Sequence, residues 1–319
     1  MKNMECKHDG SHRAECGVTA SSDNDPKYSV PDDHTGTVNS RTWGGGGYNL
    51  DRYRPVELHD LIRLGRDYDG GYVISKSQIE KTDILLSFGI SDDWSFEADF
   101  EKRKRIKIYA YDYSVSKKCK KLEIRDNLGC MIGSFLVLRR SKVKEYWGKI
   151  SGIRQGLNRL YGYFQEKHGR HFIPKYLGDS DSGEYISFDK IFRELPGAGK
   201  LSVFIKMDIE GDEYKALPHL TPYFDKINGM VIEFHGLNFP GKFEEITELL
   251  LNNYYVAHIH ANNAGGHIID STLPMVLEIT FMHKNMLSGS VRPSTAKYPL
   301  EGLDFPNIKT LDDVVLDFS

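Results

Sequence analysis

Four carboxylates crowd the stretch LSVFIKMDIEGDEY, residues 201–214, where the apolar run Leu201, Val203, Phe204, Ile205 leads into Asp208, Glu210, Asp212 and Glu213. Carboxylates so close to a buried strand are costly unless solvated, paired or engaged in chemistry. Two other strand-like runs also end in titratable groups. GMVIEF reaches Glu233 and His235, and YVAHIH reaches His260, Asn262 and Asn263. Such groups suit general acid–base catalysis, for which His titrates near neutral pH. They equally suit a divalent ion such as Mg²⁺ or Mn²⁺, held by carboxylates with one or two imidazoles. His235 and His260 are the candidate bases, and Asp208 is the acid expected to face the reacting group. Asp208 with His235 is the candidate metal pair. Glu210 is either a further catalytic acid or the cap of the next helix. Asp212 and Glu213 read as solvated helix residues.

These groups meet only if their strands lie side by side with the carboxyl ends at one edge. Apolar runs predict strands at 72–74, 83–90, 106–111, 201–207, 229–234, 255–260 and 275–282. Ile84, Leu85 and Leu86 fit a strand buried on both faces, as in a parallel sheet. Helices are expected at 57–64 (ELHDLIRL), within 91–105, at 187–195 with Ser187 as N-cap, from 214 to about 220, at 243–251 and briefly around Asp312. Such alternation favours a doubly wound, mostly parallel sheet, whose ligands bind at the carboxyl ends of the strands. No helix separates the last two strands, which suits an antiparallel edge hairpin. Residues 116–170 read as a helical insertion, with Trp147, Ile150, Ile153, Leu157, Leu160, Tyr161 and Phe164 at helical spacing. That stripe reads as core.

The 319 residues are 39% hydrophobic and 12% aromatic, enough for one large α/β domain. Residues 1–48 are polar and close on a glycine run at 44–47, which predicts a disordered or extended arm. The folded domain is expected over 49–285, with 286–319 as a tail. A net charge of −3 argues against a dedicated nucleic-acid binder. No apolar run reaches the roughly 18 residues of a membrane span, and the N-terminus lacks a secretory h-region. Cys6, Cys16, Cys119 and Cys130 form no C-x-x-C pair and read as reduced thiols in a cytoplasmic protein. A metal on Cys6, His8, His12 and Cys16 is the less favoured alternative.

IKMDIEGDE resembles the I-K-hydrophobic-D-hydrophobic-E-G-x-E signature of the FkbM family of methyltransferases. RLGRDYDGGYVI, LSFGISDDWSFE and VIEFHG…HIHANNAGG…PMVLEITF resemble further blocks of a branch of that family, in the same order, over about residues 61–283. The resemblance implies a Rossmann-like class I methyltransferase fold with a seven-stranded sheet. It also implies methyl transfer from S-adenosylmethionine, most often to a sugar or natural-product hydroxyl. The glycine loop after the first strand would then be SFGISDDWSFE, with Phe88, Gly89, Ser91, Asp92 and Glu97 near the cofactor. Gly89 stands alone where many relatives carry two or three glycines. Asp112, ending the second strand, would bind the ribose, with Tyr113 and Ser114 beside it. Asp179 or Asp181 in GDSDSG would meet the adenine edge, unless that segment is a plain surface turn. Arg66, Asp69 and Tyr72 would form a lid or a packed turn. Related sugar O-methyltransferases place a divalent ion against acids at the ends of strands four and five, where this chain offers Asp208 and His235. The expected function is sugar or glycan O-methylation. The alternatives are a metal-assisted hydrolase using the Asp/His cluster and an inactive binding module of the same fold.

Overall fold

The computed structural model describes residues 50–197, 201–237, 240–267 and 274–318. The N-terminal arm, with Cys6, His8, His12, Cys16 and the glycine run, lies outside the described residues. Strand β1 (Leu61–Leu64) pairs antiparallel with β2 (Tyr72–Ser75), and Ser75 caps α1 (Lys76–Lys81). Then come β3 (Ile84–Phe88), α2 (Ser95–Arg103) and β4 (Lys107–Tyr111). The insertion is a helical hairpin, α3 (Lys117–Leu136) and α4 (Arg140–Tyr163), which leads into β5 (Arg170–Ile173). Two short strands, β6 (Tyr176–Leu177) and β7 (Tyr185–Ile186), precede α5 (Phe188–Glu194), where Ser187 accepts from the Lys190 amide as expected. β8 (Val203–Met207) is followed by α6 (Glu213–Ala216), a 3-10 helix (Leu217–Lys226) and β9 (Ile227–Phe234). α7 (Pro240–Leu251), β10 (Tyr254–His267) and β11 (Pro274–His283) complete the elements of the sheet.

The main sheet has seven strands in the order β10-β11-β9-β8-β3-β4-β5. β3, β4, β5, β8 and β9 run parallel, whereas β11 is antiparallel to both β9 and β10. This is the expected Rossmann-like class I methyltransferase architecture, with its antiparallel edge hairpin. The chain leaves β3 toward β4 on one side and returns as β8 on the other. The carboxyl ends of β3 and β8 therefore flank the switch point at which doubly wound sheets bind ligands.

Every residue of β3, β8 and β9 is buried, because helices or the β1–β2 hairpin cover both faces. Leu86, Phe88, Ile205, Met207, Ile232 and Phe234 pack one face against α5, α7 and the 3-10 helix. Leu85, Phe204 and Val231 pack the other face against Leu64, Ile74, Phe96, Phe100 and Leu160. On this second face the side chains turn polar toward the carboxyl ends. Leu85 gives way to Ser87, Phe204 to Lys206 and then Asp208, and Val231 to Glu233.

Three expectations are corrected. ELHDLIRL is not a helix. Its second half is strand β1, because Leu64 is buried by pairing with β2 over the sheet, and tertiary burial overrides helical spacing. The stretch 213–226 is one α turn run into a 3-10 helix, containing Pro222. No helix forms around Asp312. The Asn263 amide donates to the carbonyls of Ile308, Leu311 and Asp312, and its oxygen accepts from the Ile308 amide at 2.7 Å. The tail is thus bound by side chains and is not loose: Tyr298, Leu316 and Phe318 are buried, and Asp304 lies 3.1 Å from His258.

His260 is the tail's other anchor. Its Nδ1 lies 3.2 Å from Glu278 Oε2 and its Nε2 3.0 Å from Asp313 Oδ1. Burial alone would lower its pKa, but Glu278, Asp313 and Asp304 override burial and raise it to about 10. An imidazolium held by two carboxylates has no free lone pair. This is a correction to the reading of His260 as a general base.

Gly89 has φ +73°, and a Cβ there would lie 1.6 Å from the Asp208 carbonyl oxygen. The glycine is thus required by the contact between the β3 and β8 exits, whatever binds beyond it. Gly89→Ala is expected to destabilise the fold by about 3 kcal/mol, read from urea unfolding. A loss below about 0.5 kcal/mol would refute that close approach. A His260 pKa raised above the unfolded value of about 6.5 stabilises fully below that pH and loses its effect as pH rises toward 10. The melting temperature should fall between pH 6.5 and 10, and His260→Gln should flatten that slope while lowering stability at pH 6. An unchanged slope would sink this assignment.

Candidate functional site

The block IKMDIEGDE folds into a loop organised by its own last acid. Glu213 is fully buried, and its Oε1 accepts from the Ile209 amide (3.1 Å) and the Gly211 amide (3.2 Å). The same oxygen lies 3.1 Å from His235 Nδ1. The expectation of a solvated Glu213 is therefore wrong: a carboxylate that binds three N–H groups can stay buried. Glu210 and Gly211 both adopt left-handed backbone, φ +57° and +99°, which throws the Glu210 side chain outward. The N-cap of the following helix is Asp212, whose side chain makes no cap hydrogen bond. Glu210 Oε2 lies 3.7 Å from His235 Nε2.

His235 is fixed by Glu213 on Nδ1, so its Nε2 faces three carboxylates: Glu233 at 3.6 Å, Glu210 at 3.7 Å and Asp208 at 3.9 Å. Burial would lower its pKa, but Glu213, Glu233 and Asp208 raise it to about 10. Without another cation the neighbouring acids therefore favour the protonated ring, which weighs against the expected role of His235 as a base.

Tyr72 stands between the two strand ends. Its hydroxyl lies 3.2 Å from Asp208 Oδ2 and 3.1 Å from Glu233 Oε2. Glu233 is buried, and burial together with the Asp208 and Glu278 charges raises its pKa well above the carboxylate range. The single phenol proton is shared between the two carboxylates. Lys206 enters from the same sheet face. Its Nζ donates to the Gly89 carbonyl at 2.7 Å and lies 3.6 Å from Asp208 Oδ2. Burial pulls the Lys206 pKa down, but Asp208, Glu97, Glu233 and Asp112 outweigh burial and raise it. Asp208 keeps a quarter of its side chain exposed and is the member of this group that faces out of the protein.

On the other side of the switch point, Asp112 follows β4 directly. It accepts from the Ser91 amide at 2.8 Å through Oδ2, and from the Ser114 amide (2.8 Å) and hydroxyl (2.6 Å) through Oδ1. A carboxylate has about four acceptor positions, so Oδ2 retains one. Gly89 and Ser91 line the same crevice, and Asp92 is exposed beside them. Other residues expected near the cofactor have partners within the protein. The Phe88 side chain is core, stacked on Tyr111 at 5.1 Å. Glu97 is buried under the sheet and accepts from the Ser87 hydroxyl. Tyr113 donates to Glu184 and sits against Tyr176. Asp181 is committed to the amide and hydroxyl of Ser187, and Asp179 is exposed beside Ser180, so GDSDSG is built as a surface turn. Arg66 pairs with Asp93 at 3.1 Å, which ties the β1–β2 turn to the start of α2.

Lys206 was an available signal that the sequence reading passed over, and Glu233, noted at its strand end, was given no role of its own. Each is a charged residue inside an otherwise apolar strand, spaced two residues from Asp208 and His235 and so on the same face.

The carboxylates of Asp208 and Glu233 and the His235 ring can each place one donor atom within 4.8 Å of the others. A His whose second nitrogen is held by a carboxylate, as His235 is by Glu213, is oriented as metal ligands commonly are. The donor set of two carboxylates and one imidazole thus fits a divalent ion.

No family model matches this chain, and no curated protein matches it. Among solved structures it is similar to the Methanococcus jannaschii fibrillarin pre-rRNA processing protein, at 8% identity and TM-score 0.34, over 74% of this chain and 77% of that one. It is also similar to an rRNA methylase from Streptococcus thermophilus, at 11% identity and TM-score 0.32, over 65% and 93% of the two chains. A third is WbdD, at 8% identity and TM-score 0.35, over 70% and 42%. Likenesses this distant carry no argument about activity; the strand order and direction of the sheet itself establish the Rossmann-like methyltransferase fold.

Proposed function

We propose that the chain is an S-adenosylmethionine-dependent O-methyltransferase acting on a hydroxyl of a sugar or glycan. The observation that carries this reading is the division of the switch-point crevice into two halves. Gly89, Ser91 and Asp112 form one half, where the acid suits a ribose. Asp208, Glu233, Tyr72 and His235 form the other, where a hydroxyl can lose its proton. The resemblance to the FkbM signature and the methyltransferase sheet support the same choice.

S-adenosylmethionine supplies an electrophilic methyl on a sulfonium, which leaves as the neutral thioether. The protein's part is to hold the acceptor oxygen in line and take its proton. Asp208, the partly exposed carboxylate, accepts that proton. Tyr72 and Lys206 fix its orientation, and Tyr72 ties it to Glu233 behind. His235 balances these acids as a cation. Asn262, which donates to Glu233 Oε1 at 3.0 Å, and the exposed Asp69 add the polar groups that a hydroxyl-rich acceptor requires.

A second reading of the same site has its own support in the donor geometry of Asp208, Glu233 and His235. A divalent ion there would displace the proton from His235 and acidify the acceptor hydroxyl.

Calorimetry with S-adenosylhomocysteine should show binding, weakened about tenfold or more by Asp112→Asn through loss of charge against the ribose. No binding at about millimolar ligand would end the methyltransferase reading in favour of a metal-assisted hydrolase or a non-catalytic fold. Asp208→Asn should leave that binding near normal and cut turnover about a hundredfold or more. Activity abolished by a chelator and restored by Mg²⁺ or Mn²⁺ would establish the metal; activity indifferent to chelation would leave Asp208 acting alone as base.

A further inference from the structure

The α3–α4 hairpin has no part in the crevice and is built unlike the rest of the chain. α3 is 20 residues long with no buried residue, and α4 buries only Ile150 and Leu160. From Ile150 to the turn at Leu138 the hairpin extends twelve residues, about 18 Å at helical rise. Its tip is the consecutive apolar run Phe135, Leu136, Val137 and Leu138, each between 62% and 84% exposed. Ile132, one turn earlier on α3, and Trp147, two turns along α4, are also more than half exposed. Exposed apolar clusters of this kind mark interaction sites.

The charge of the hairpin points to the partner. Residues 117–163 carry twelve Lys and Arg against three Asp and Glu, a net +9, while the whole chain carries −3. Arg139, Arg140, Lys142 and Lys144 follow directly on the apolar run. Two hairpins of this charge repel each other, which disfavours a second copy as the occupant. A nucleic acid would answer the charge and leave the apolar tip in water. An anionic lipid surface answers both, since Phe, Leu and Trp enter the acyl boundary while Lys and Arg stay at the headgroups.

We infer that the α3–α4 tip is a peripheral membrane-docking element for anionic bilayers. It inserts shallowly, since no helix among the described residues is long and apolar enough to cross a membrane. The inference rests on the hairpin alone and stands apart from the reading of the crevice.

Co-sedimentation of the full chain with phosphatidylcholine vesicles, with and without about 30 mol % phosphatidylserine, tests it. Partitioning should rise about tenfold or more with the anionic lipid and fall as salt is raised. The double variant Leu136→Asp/Leu138→Asp should lose binding. Arg139→Glu/Arg140→Glu should lose about tenfold or more. All four positions are exposed, so melting temperatures should match the parent. Trp147 fluorescence should shift to the blue on anionic vesicles. Equal partitioning on neutral and anionic vesicles would overturn the inference, and so would binding that survives the two aspartates, which marks a general polyanion site. Light scattering that shows a dimer broken by Leu138→Asp, with no vesicle binding, would assign the tip to self-association and overturn it as well.

Discussion

The structure depends on keeping like charges together inside a sheet. Asp208 and Glu233 sit at neighbouring strand ends, and Glu233 faces Glu278, midway along β11, directly across the β9–β11 ladder. Opposed carboxylates on adjacent strands are destabilising in isolation. Here each oxygen of the buried pair has a partner. Glu233 receives Asn262 and Tyr72, and Glu278 receives Asn307 at 2.7 Å and His260 at 3.2 Å. Lys206, His235 and His260 supply positive charge around the row. Removing any one partner leaves a buried acid exposed to its neighbours' field, which is why the site's polar groups form one connected set.

The cofactor half of the crevice obeys a different constraint, that of backbones in close approach. The Asp208 amide donates to the Phe88 carbonyl, the Gly89 amide donates to the Tyr111 carbonyl, and Lys206 closes on the Gly89 carbonyl. Three strand exits are therefore locked to one another before any ligand arrives. Asp112 extends the lock by gathering the loops after β3 and β4 onto one carboxylate. A site held in this manner is preorganised, and little ordering is left for binding to supply.

Strands with unbroken apolar runs were legible in the sequence because burial on both faces leaves no other composition open to them; ILLSF and GMVIEF are of this kind. Asp208 and Asp112 were legible because an acid directly after such a strand has few roles. What was not legible depended on distant partners. Leu61–Leu64 carries helical spacing and becomes a strand because β2 lies 8 residues on and the sheet face lies beneath it. Glu213 looks like a helix-surface acid until Ile209, Gly211 and His235 are seen to converge on it. His260 looks like a base until Asp313, 53 residues later in the chain, supplies the second carboxylate. Titration behaviour is set by surroundings, and those surroundings come from parts of the chain that no local window contains.

The segment that carries Asn307 and Asp313 has a consequence for how the protein is made. Glu278 and His260 are synthesised some thirty to fifty residues before the later groups that pair with them, Asn307 and Asp313. While the chain is still emerging, the β10–β11 hairpin holds an acid and an imidazole without their final partners. The edge of the sheet therefore acquires its finished electrostatics only when that later segment folds back across it. The parallel core can form early and the completed crevice follows, so a chain cut before Asn307 would be a folded scaffold with an unfinished wall.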